Sequence, residues 1–443
     1  MRPVPPSAPT RAAPFVKASF RAVDKCANFT LDLPCYLQNV ILCWPPADRA
    51  QQPGVMDNTS SVSGFSAFSR QPRVRVSSPA DVLAVVPHLL GFHPARSLVV
   101  MGVGRPRARV QLAFRYDLPD PPDTVHAADI AEHAAGVLRQ RRLSTVIGVG
   151  YGPGALVTPV ADALAGAVRQ AGLRLHELMR VEDGRYWSYL CENPECCPAD
   201  GVPFDIQANP AAAAMTVAGL VAYPDRAALA GTLAPVTGAA ARSMERATSR
   251  ARERAAELIA QASGPGAGRP ERLLVDAGRR AVQEAIATYR AGGRPLADES
   301  VAWITVVLAH LAVRDDAWSR MDPGFRTAHL RLWTDVVRRA TPAYLPAPAS
   351  LLAFTAWQSG EGALANIAID RALAADPGYS LAQLLRDIMD AGVPPSAARV
   401  PMTPEQVAAS YDLADSVSAA RPGGRVRGAR PGRKAAARKQ PSR

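Results

Sequence analysis

Two adjoining stretches decide the fold, Ser78-Pro-Ala-Asp-Val-Leu-Ala-Val-Val-Pro-His-Leu-Leu-Gly91 and Ser97-Leu-Val-Val-Met-Gly-Val103. The first predicts a helix that is capped by Ser78, has proline at its first position and ends at Gly91. The second is a short apolar run, which is typical of a buried strand. A helix followed at once by a buried strand indicates an α/β arrangement.

The alternation of strands and helices continues to about residue 222. The further predicted strands are Ala108–Phe114, Ser144–Val149, Leu173–Val181 and Arg185–Leu190, and the predicted helices are Ala127–Arg142 and 155–171. Asp183-Gly184 between the last two strands is a strong hairpin signal. We therefore expect an α/β domain over residues 72–225, with a mixed, mostly parallel sheet and attached hairpins.

The second half of the chain predicts only helices. Residues 226–270 read as a helical linker that ends in a Gly/Pro-rich break, and residues 271–412 as an all-α domain. Within this domain the pairs Pro342/Tyr344 and Pro377/Tyr379 lie 35 residues apart, close to the period of a tetratricopeptide helix pair. We expect a helical domain with tetratricopeptide-like packing.

Both ends of the chain predict disorder. Residues 1–71 are Pro-rich and without a sustained period, so we expect a disordered leader, and Met56 is a candidate for the true translation start. Residues 413–443 are expected to form a disordered basic tail. The net charge of +12 comes from the two ends, because residues 421–443 contain nine Lys/Arg and no acid, whereas the segment 56–420 is neutral.

The chain has no apolar run long enough to span a membrane, and its first residues lack the continuous apolar core that is typical of a signal peptide. We therefore expect a cytoplasmic protein with reduced thiols and no membrane association.

Three of the six cysteines are concentrated in one short segment, at positions Cys191, Cys196 and Cys197. Thiolates bind soft metals, and a tetrahedral zinc site needs four ligands, of which this segment offers three. Cys196 and Cys197 would point to opposite faces of an extended chain, but the turn signal Asn193-Pro194 relaxes that constraint. Structural burial, metal binding and a redox or nucleophilic role all remain open for these thiols.

His176 is the candidate for a fourth metal ligand. If Asp183-Gly184 forms a two-residue turn, Glu182 pairs with Arg185 and His176 lies directly opposite Cys191. An imidazole and a thiolate would then share one face of the hairpin.

A Gly-rich loop and a loop histidine are the other candidate site residues. Gly150, Gly152 and Gly154 lie between a predicted strand and a predicted helix, where backbone N–H groups can bind phosphate or a nucleotide. The alternative is that these glycines serve only a tight turn, and Pro153 removes one N–H donor. His93 lies in a loop that leads into a central strand, a common place for α/β sites, although histidines at a helix end more commonly bind the C-terminal carbonyls.

Several of these segments together resemble a known family. They are Ser78–Val100, Gly150–Pro153, Trp187–Pro198 and Leu351–Ala365. The resemblance covers roughly residues 72–412 and is to an uncharacterised family of high-GC Gram-positive bacteria that is classified as a domain of unknown function. It implies no activity, cofactor or catalytic residue.

Three hypotheses about function follow. The first is an interaction or regulatory protein that binds a protein partner through the helical domain, with the tail at 421–443 adding non-specific attraction to nucleic acid or another polyanion. The second is an enzyme or small-ligand-binding protein that uses His93, the glycine loop and the cysteine segment. The third is a protein whose hairpin is stabilised by zinc. The sequence contains no complete catalytic motif, so it does not indicate whether the protein is an enzyme.

Overall fold

A computed structural model of the chain describes residues 29–32, 73–104, 109–262, 271–397 and 402–420. These residues divide into two compact units. The first comprises the described residues up to Leu229 together with Gly360–Ala363, and the second comprises Ala230–Ser359 and the described residues from Leu364 onward. None of the described helices is long and apolar enough to cross a membrane.

The first helix confirms the local signals that predict it. Helix α1 spans Pro79–Leu90, and the side chain of Ser78 accepts a hydrogen bond from the N–H of Asp81 while the Asp81 carboxylate accepts one from the N–H of Ser78. This reciprocal capping box satisfies two N–H groups that the helix leaves unpaired. The helix ends at Gly91, whose φ of 77° lies in the left-handed region.

A six-stranded sheet forms the centre of the first unit. Its strands, in the spatial order β4-β3-β5-β6-β7-β8, are β3 (Ser97–Gly104), β4 (Arg109–Asp117), β5 (Thr145–Tyr151), β6 (Arg174–Glu182), β7 (Arg185–Ser188) and β8 (Val202–Pro203). Helices α2 (Thr124–Gln140) and α3 (Gly154–Gln170) connect β4 to β5 and β5 to β6. Helix α4 spans Pro210–Val217 and packs against α1.

The sheet is mixed, as predicted, but the expectation that it is mostly parallel is wrong. Only β5 and β6 pair in parallel, and the other four pairings are antiparallel. The reason is that β3 and β4 form a hairpin and α2 then carries the chain back to the free edge of β3. Strand β5 therefore runs parallel to β4, with the antiparallel β3 between them.

The main core of the first unit lies between this sheet and the helix pair α2 and α3. Leu98, Leu112, Val146 and Leu178 point from the strands into a cluster with apolar residues of both helices, and each is at most 2% exposed. Burial of each such leucine or valine stabilises the fold by about 1.5–3 kcal/mol. The opposite sheet face is also buried, at residues such as Val99 and Ile147.

Four residues of the predicted leader are described, and they form a strand. Phe29–Asp32 (β1) pairs antiparallel with Arg73–Val76 (β2), and the expectation of disorder for the rest of 1–71 lies outside the described residues. Pairing needs a partner that is distant in sequence, and no local period announces it. Met56 and the basic tail at 421–443 lie outside the described residues.

The described chain from Arg226 onward is helical. Its helices are α5 (Arg226–Gly231), α6 (Gly238–Gln261), α7 (Arg272–Arg290), α8 (Asp298–Val307), α9 (Leu311–Ser319), α10 (Arg326–Arg339), α11 (Pro346–Gln358), α12 (Gly362–Ala375), α13 (Ser380–Asp390) and α14 (Pro404–Ala420). Short 3₁₀ helices occupy Pro323–Phe325, Pro342–Tyr344 and Pro395–Ala397. This confirms a mixed α/β region followed by a mostly helical one.

Candidate metal centre

The β6–β7 hairpin positions the cysteine segment. Asp183 and Gly184 form its turn with φ values of 47° and 72°, and Glu182 pairs with Arg185 as predicted. Both central residues of such a turn need positive φ, which the Asp-Gly pair tolerates well. Strand β7 ends at Ser188, and β8, which begins at Val202, pairs with β7. The loop between them, which we call the cysteine loop (residues 189–201), therefore joins two paired strands.

The three thiols of the cysteine loop converge. The Sγ atoms of Cys191, Cys196 and Cys197 all lie within 4.8 Å of one another, and all three cysteines are free thiols. In a tetrahedral zinc site with Zn–S bonds of about 2.3 Å, neighbouring sulfurs are about 3.8 Å apart. A shift of about 1 Å or less therefore brings the three sulfurs to ligand geometry.

A tight turn makes this convergence possible for adjacent residues. The carbonyl oxygen of Asn193 accepts hydrogen bonds from the N–H groups of both Cys196 (3.2 Å) and Cys197 (2.8 Å), and the Asn193 side chain accepts one from the N–H of Glu195 at 3.0 Å. The backbone is turned and not extended here, so neighbouring side chains need not point apart. The predicted role of the Asn193-Pro194 turn is confirmed.

Ser188 fixes the entry of the loop. Its hydroxyl donates a 2.7 Å hydrogen bond to the carboxylate of Glu177 and accepts hydrogen bonds from the N–H groups of Leu190 and Cys191, each at 3.2 Å. The Glu177 carboxylate also accepts a hydrogen bond from the N–H of Leu178 at 2.9 Å. The backbone at Cys191 is therefore held to β6 through a side-chain network that requires no metal.

Trp187 and Arg185 fix the exit of the loop. The Trp187 indole donates to the carbonyl of Ala199 at 3.0 Å and lies close to Gly201, where a Cβ atom would come within 2.6 Å of the ring. The Arg185 guanidinium donates to the carbonyls of Asp200 (3.2 Å) and Gly201 (2.8 Å). The sequence does not identify these anchoring residues, because their partners in the loop lie 12 to 16 residues away.

The environment of Cys197 disfavours ionisation of its thiol in the absence of a metal. Burial, followed by the neighbouring Cys191 and Cys196 thiols, raises the pKa of Cys197 to about 12. Tyr186 is close to the cluster, since burial and then the three thiols and Glu177 raise the pKa of its phenol. The metal-free Cys197 is thus a thiol at neutral pH, whereas a bound cation would displace its proton.

His176 is not part of the group of three ligand atoms that converge, and the β6–β7 pairing does not extend to His176 and Cys191. The β6–β7 ladder ends at Met179 and Ser188, because the Ser188 hydroxyl turns the chain at Leu190. His176 is also the extra residue of a bulge, since Leu175 pairs with Val146 and Glu177 with the next residue of β5. A bulge re-aims the side chains on its strand, and no local sequence signal locates it.

A structural reason for glycine is present at two positions of the glycine loop, the close contact at Gly150 and the φ of 135° at Gly152. A Cβ at Gly150 would overlap the side chain of Val157 on α3, and the Gly152 N–H donates to the carbonyl of Val181 at 2.8 Å. Gly154 begins α3 next to the guanidinium of Arg180, which stacks on Trp187 at 3.7 Å and pairs with Glu182. Phosphate or nucleotide binding at these three glycines remains a prediction.

His93 is held by its backbone, with its N–H donating to the carbonyl of Tyr223 at 2.9 Å. Burial and then the neighbouring His88 lower the pKa of its imidazole. His88 itself is buried, and its Nδ1 donates to the carbonyl of Leu220 at 2.9 Å, a structural role. Among the described residues, the convergent ligand group contains the three cysteines and neither His93 nor His176.

Two segments of the enzyme hypothesis, the glycine loop at Gly150 and the three cysteines, lie towards opposite faces of the sheet. Gly150 faces α3, on the sheet face shared by Trp187, whereas the cysteines lie near Tyr186 and Ser188, which alternate with Trp187 along β7 and point to the opposite face.

A comparison with known protein families identifies the family of the chain. The family "Domain of unknown function (DUF4192)" matches residues 79–396. The chain belongs to this family. The match covers both the sheet with its cysteine loop and most of the helical region, in agreement with the resemblance inferred from the sequence. No curated protein and no solved structure matches the chain.

Proposed function

We propose that this chain is a soft-metal-binding protein in which Cys191, Cys196 and Cys197 coordinate one Zn²⁺ ion. The observation that supports the proposal is the approach of three Sγ atoms to within 4.8 Å of one another on a loop anchored at both ends. Soft thiolates select zinc or Cu(I) over Mg²⁺ and Ca²⁺. The ion would stabilise the cysteine loop as a surface element of an interaction or regulatory protein.

A redox or nucleophilic role is less well supported. Catalytic cysteines have a lowered pKa and lie near a cation, whereas the pKa of Cys197 is raised to about 12. The Glu177 carboxylate anchors the start of the loop, and the Arg185 guanidinium at its end is paired with Asp200.

The test is the metal content of untagged protein. We expect close to one zinc per chain by inductively coupled plasma mass spectrometry, and loss of most of it in Cys191→Ser, Cys196→Ser and Cys197→Ser. His176→Ala is the matched control and should retain the metal, because His176 is outside the convergent group. Zinc below about one tenth of the chain concentration in the wild type, with Cu(I) equally absent, would reject the proposal.

For the helical unit we propose tetratricopeptide-like packing that presents a surface to a protein partner. In support, α11 and α13 each follow a proline-containing turn and pack against each other, and α11 packs against α10. Helix α11 is buried from Pro346 to Trp357, so the partner surface would have to lie on its neighbours. A crystal structure in which α10–α13 fail to superimpose on consecutive tetratricopeptide helix pairs would reject this packing.

A further inference from the structure

The proposed metal site is one ligand short. Zinc in a protein is almost always four-coordinate, and among the described residues three ligand atoms converge. We infer that the fourth position of the ion opens to solvent beside Cys196 and accepts a neutral nitrogen donor of the imidazole type in preference to an anion. This inference rests on the proposed zinc site.

The burial of the three cysteines indicates where the open position lies. Cys191 and Cys197 are half-buried against the hairpin, whereas Cys196 is exposed. An ion held by these three sulfurs therefore lies at the surface of the loop, where its remaining position is accessible to solvent. The nearest carboxylate of the hairpin, Glu177, is engaged by Ser188 and by the N–H of Leu178, which makes it an anchor of the loop.

The charge around the position disfavours anions. Three thiolates and one divalent cation leave a net negative charge at the centre. Glu192 and Glu195 add to it, since both are exposed and neither forms an ion pair with another described residue. The third acid of the loop, Asp200, is paired with Arg185 at 3.2 Å. An approaching azide, phosphate or carboxylate would meet this charge, whereas a neutral ligand would not.

The chemistry of zinc selects among neutral donors. Imidazole is a common ligand of zinc, and one imidazole completes the Cys₃His set that is frequent in structural sites. The imidazole can come from a free small molecule or from the histidine of a partner protein.

Cobalt-substituted full-length protein tests the inference. Four-coordinate Co²⁺ with thiolate ligands gives visible bands that shift when the fourth ligand changes, so imidazole and azide are titrated separately into the Co²⁺ form. We expect imidazole to shift the bands with an affinity about tenfold or more above that of azide. The double variant Glu192→Gln/Glu195→Gln should raise the affinity for azide and leave the affinity for imidazole unchanged, so the ratio of the two affinities should fall.

Two variants test whether His176 or the cysteines outside the loop supply the fourth ligand. His176→Ala and the triple variant Cys26→Ser/Cys35→Ser/Cys43→Ser should have the resting Co²⁺ spectrum of the wild type and the same response to imidazole. A changed resting spectrum in either variant overturns the inference, as does a wild-type spectrum that imidazole leaves unaltered or that azide shifts equally well. Failure to bind Co²⁺ or Zn²⁺ at all would instead reject the proposed function.

A histidine-containing peptide titrated in the same way separates the two sources of the imidazole. Peptide binding with an affinity above that of free imidazole assigns the position to a protein partner, and equal affinities assign it to a small molecule.

Discussion

At the scale of single residues, the geometry of the cysteine loop depends on residues other than the three cysteines. The three sulfurs converge because Asn193 folds the backbone and Ser188 holds Cys191. The cysteines are obvious in the sequence, and the Asn-Pro turn is a local signal that predicts correctly. The hydroxyl of Ser188 could not be predicted as an anchor, because its partner Glu177 lies on another strand.

His329 gives a prediction at the same scale. It is 1% exposed, and burial, followed by repulsion from Arg290, lowers its pKa from 6.5 to about 4, with Asp322 opposing. The unfolded chain therefore binds a proton more readily than the folded one, so stability is full above pH 6.5 and falls as the pH drops towards 4. We expect a loss of about 2 kcal/mol between pH 7 and pH 5.

Urea unfolding followed by tryptophan fluorescence measures this loss, since four of the six tryptophans lie between residues 303 and 357. His329→Phe should flatten the pH dependence, and His126→Asn, at an exposed position of α2, is the control. An identical pH slope in wild type and His329→Phe would refute the assignment.

At the scale of elements, the helices were predictable and the strand directions were not. The capping signals of α1 are local, so Ser78 and Gly91 define its ends from sequence alone. The direction of β5 depends on the edge of the sheet to which α2 leads the chain. The apolar sequences of β3 and β5 are equally compatible with parallel and antiparallel pairing, and the structure shows antiparallel pairing. The same limit explains His176, because a bulge shifts its register without a residue signature.

The anchoring of the cysteine loop gives a prediction for Gly201. Its φ is 82°, and an added Cβ would lie 2.6 Å from the Trp187 ring. Gly219 is a matched control, with a φ of 84° and nothing within 4 Å of an added Cβ. Gly219→Ala should cost about 1–2 kcal/mol of strain and leave zinc affinity unchanged.

Gly201→Ala should cause the same backbone strain and should also displace the Trp187 ring. Because this ring holds the end of the cysteine loop, we expect zinc affinity to fall by about tenfold, as for other residues that support metal ligands. Competition with a chromophoric chelator measures both variants. Equal zinc affinities for Gly201→Ala and Gly219→Ala would contradict the role of the Trp187 anchor.

At the scale of the whole molecule, the chain belongs to a family of unknown function whose match spans most of both units. The positive charge of the sequence is concentrated at 421–443, outside the described residues, so polyanion binding by this tail remains a prediction. The cysteine loop is the place in the described chain where several potential ligand atoms meet. This convergence supports the proposal that the loop binds a metal ion.

Zinc K-edge X-ray absorption of the purified full-length protein tests this proposal most directly. We expect a first shell of three sulfurs at about 2.3 Å and one nitrogen or oxygen at about 2.0–2.1 Å. Cys196→Ser, if it retains any metal, should show one sulfur fewer. A first shell made only of nitrogen and oxygen, or one unchanged by the loss of Cys196, would contradict the account.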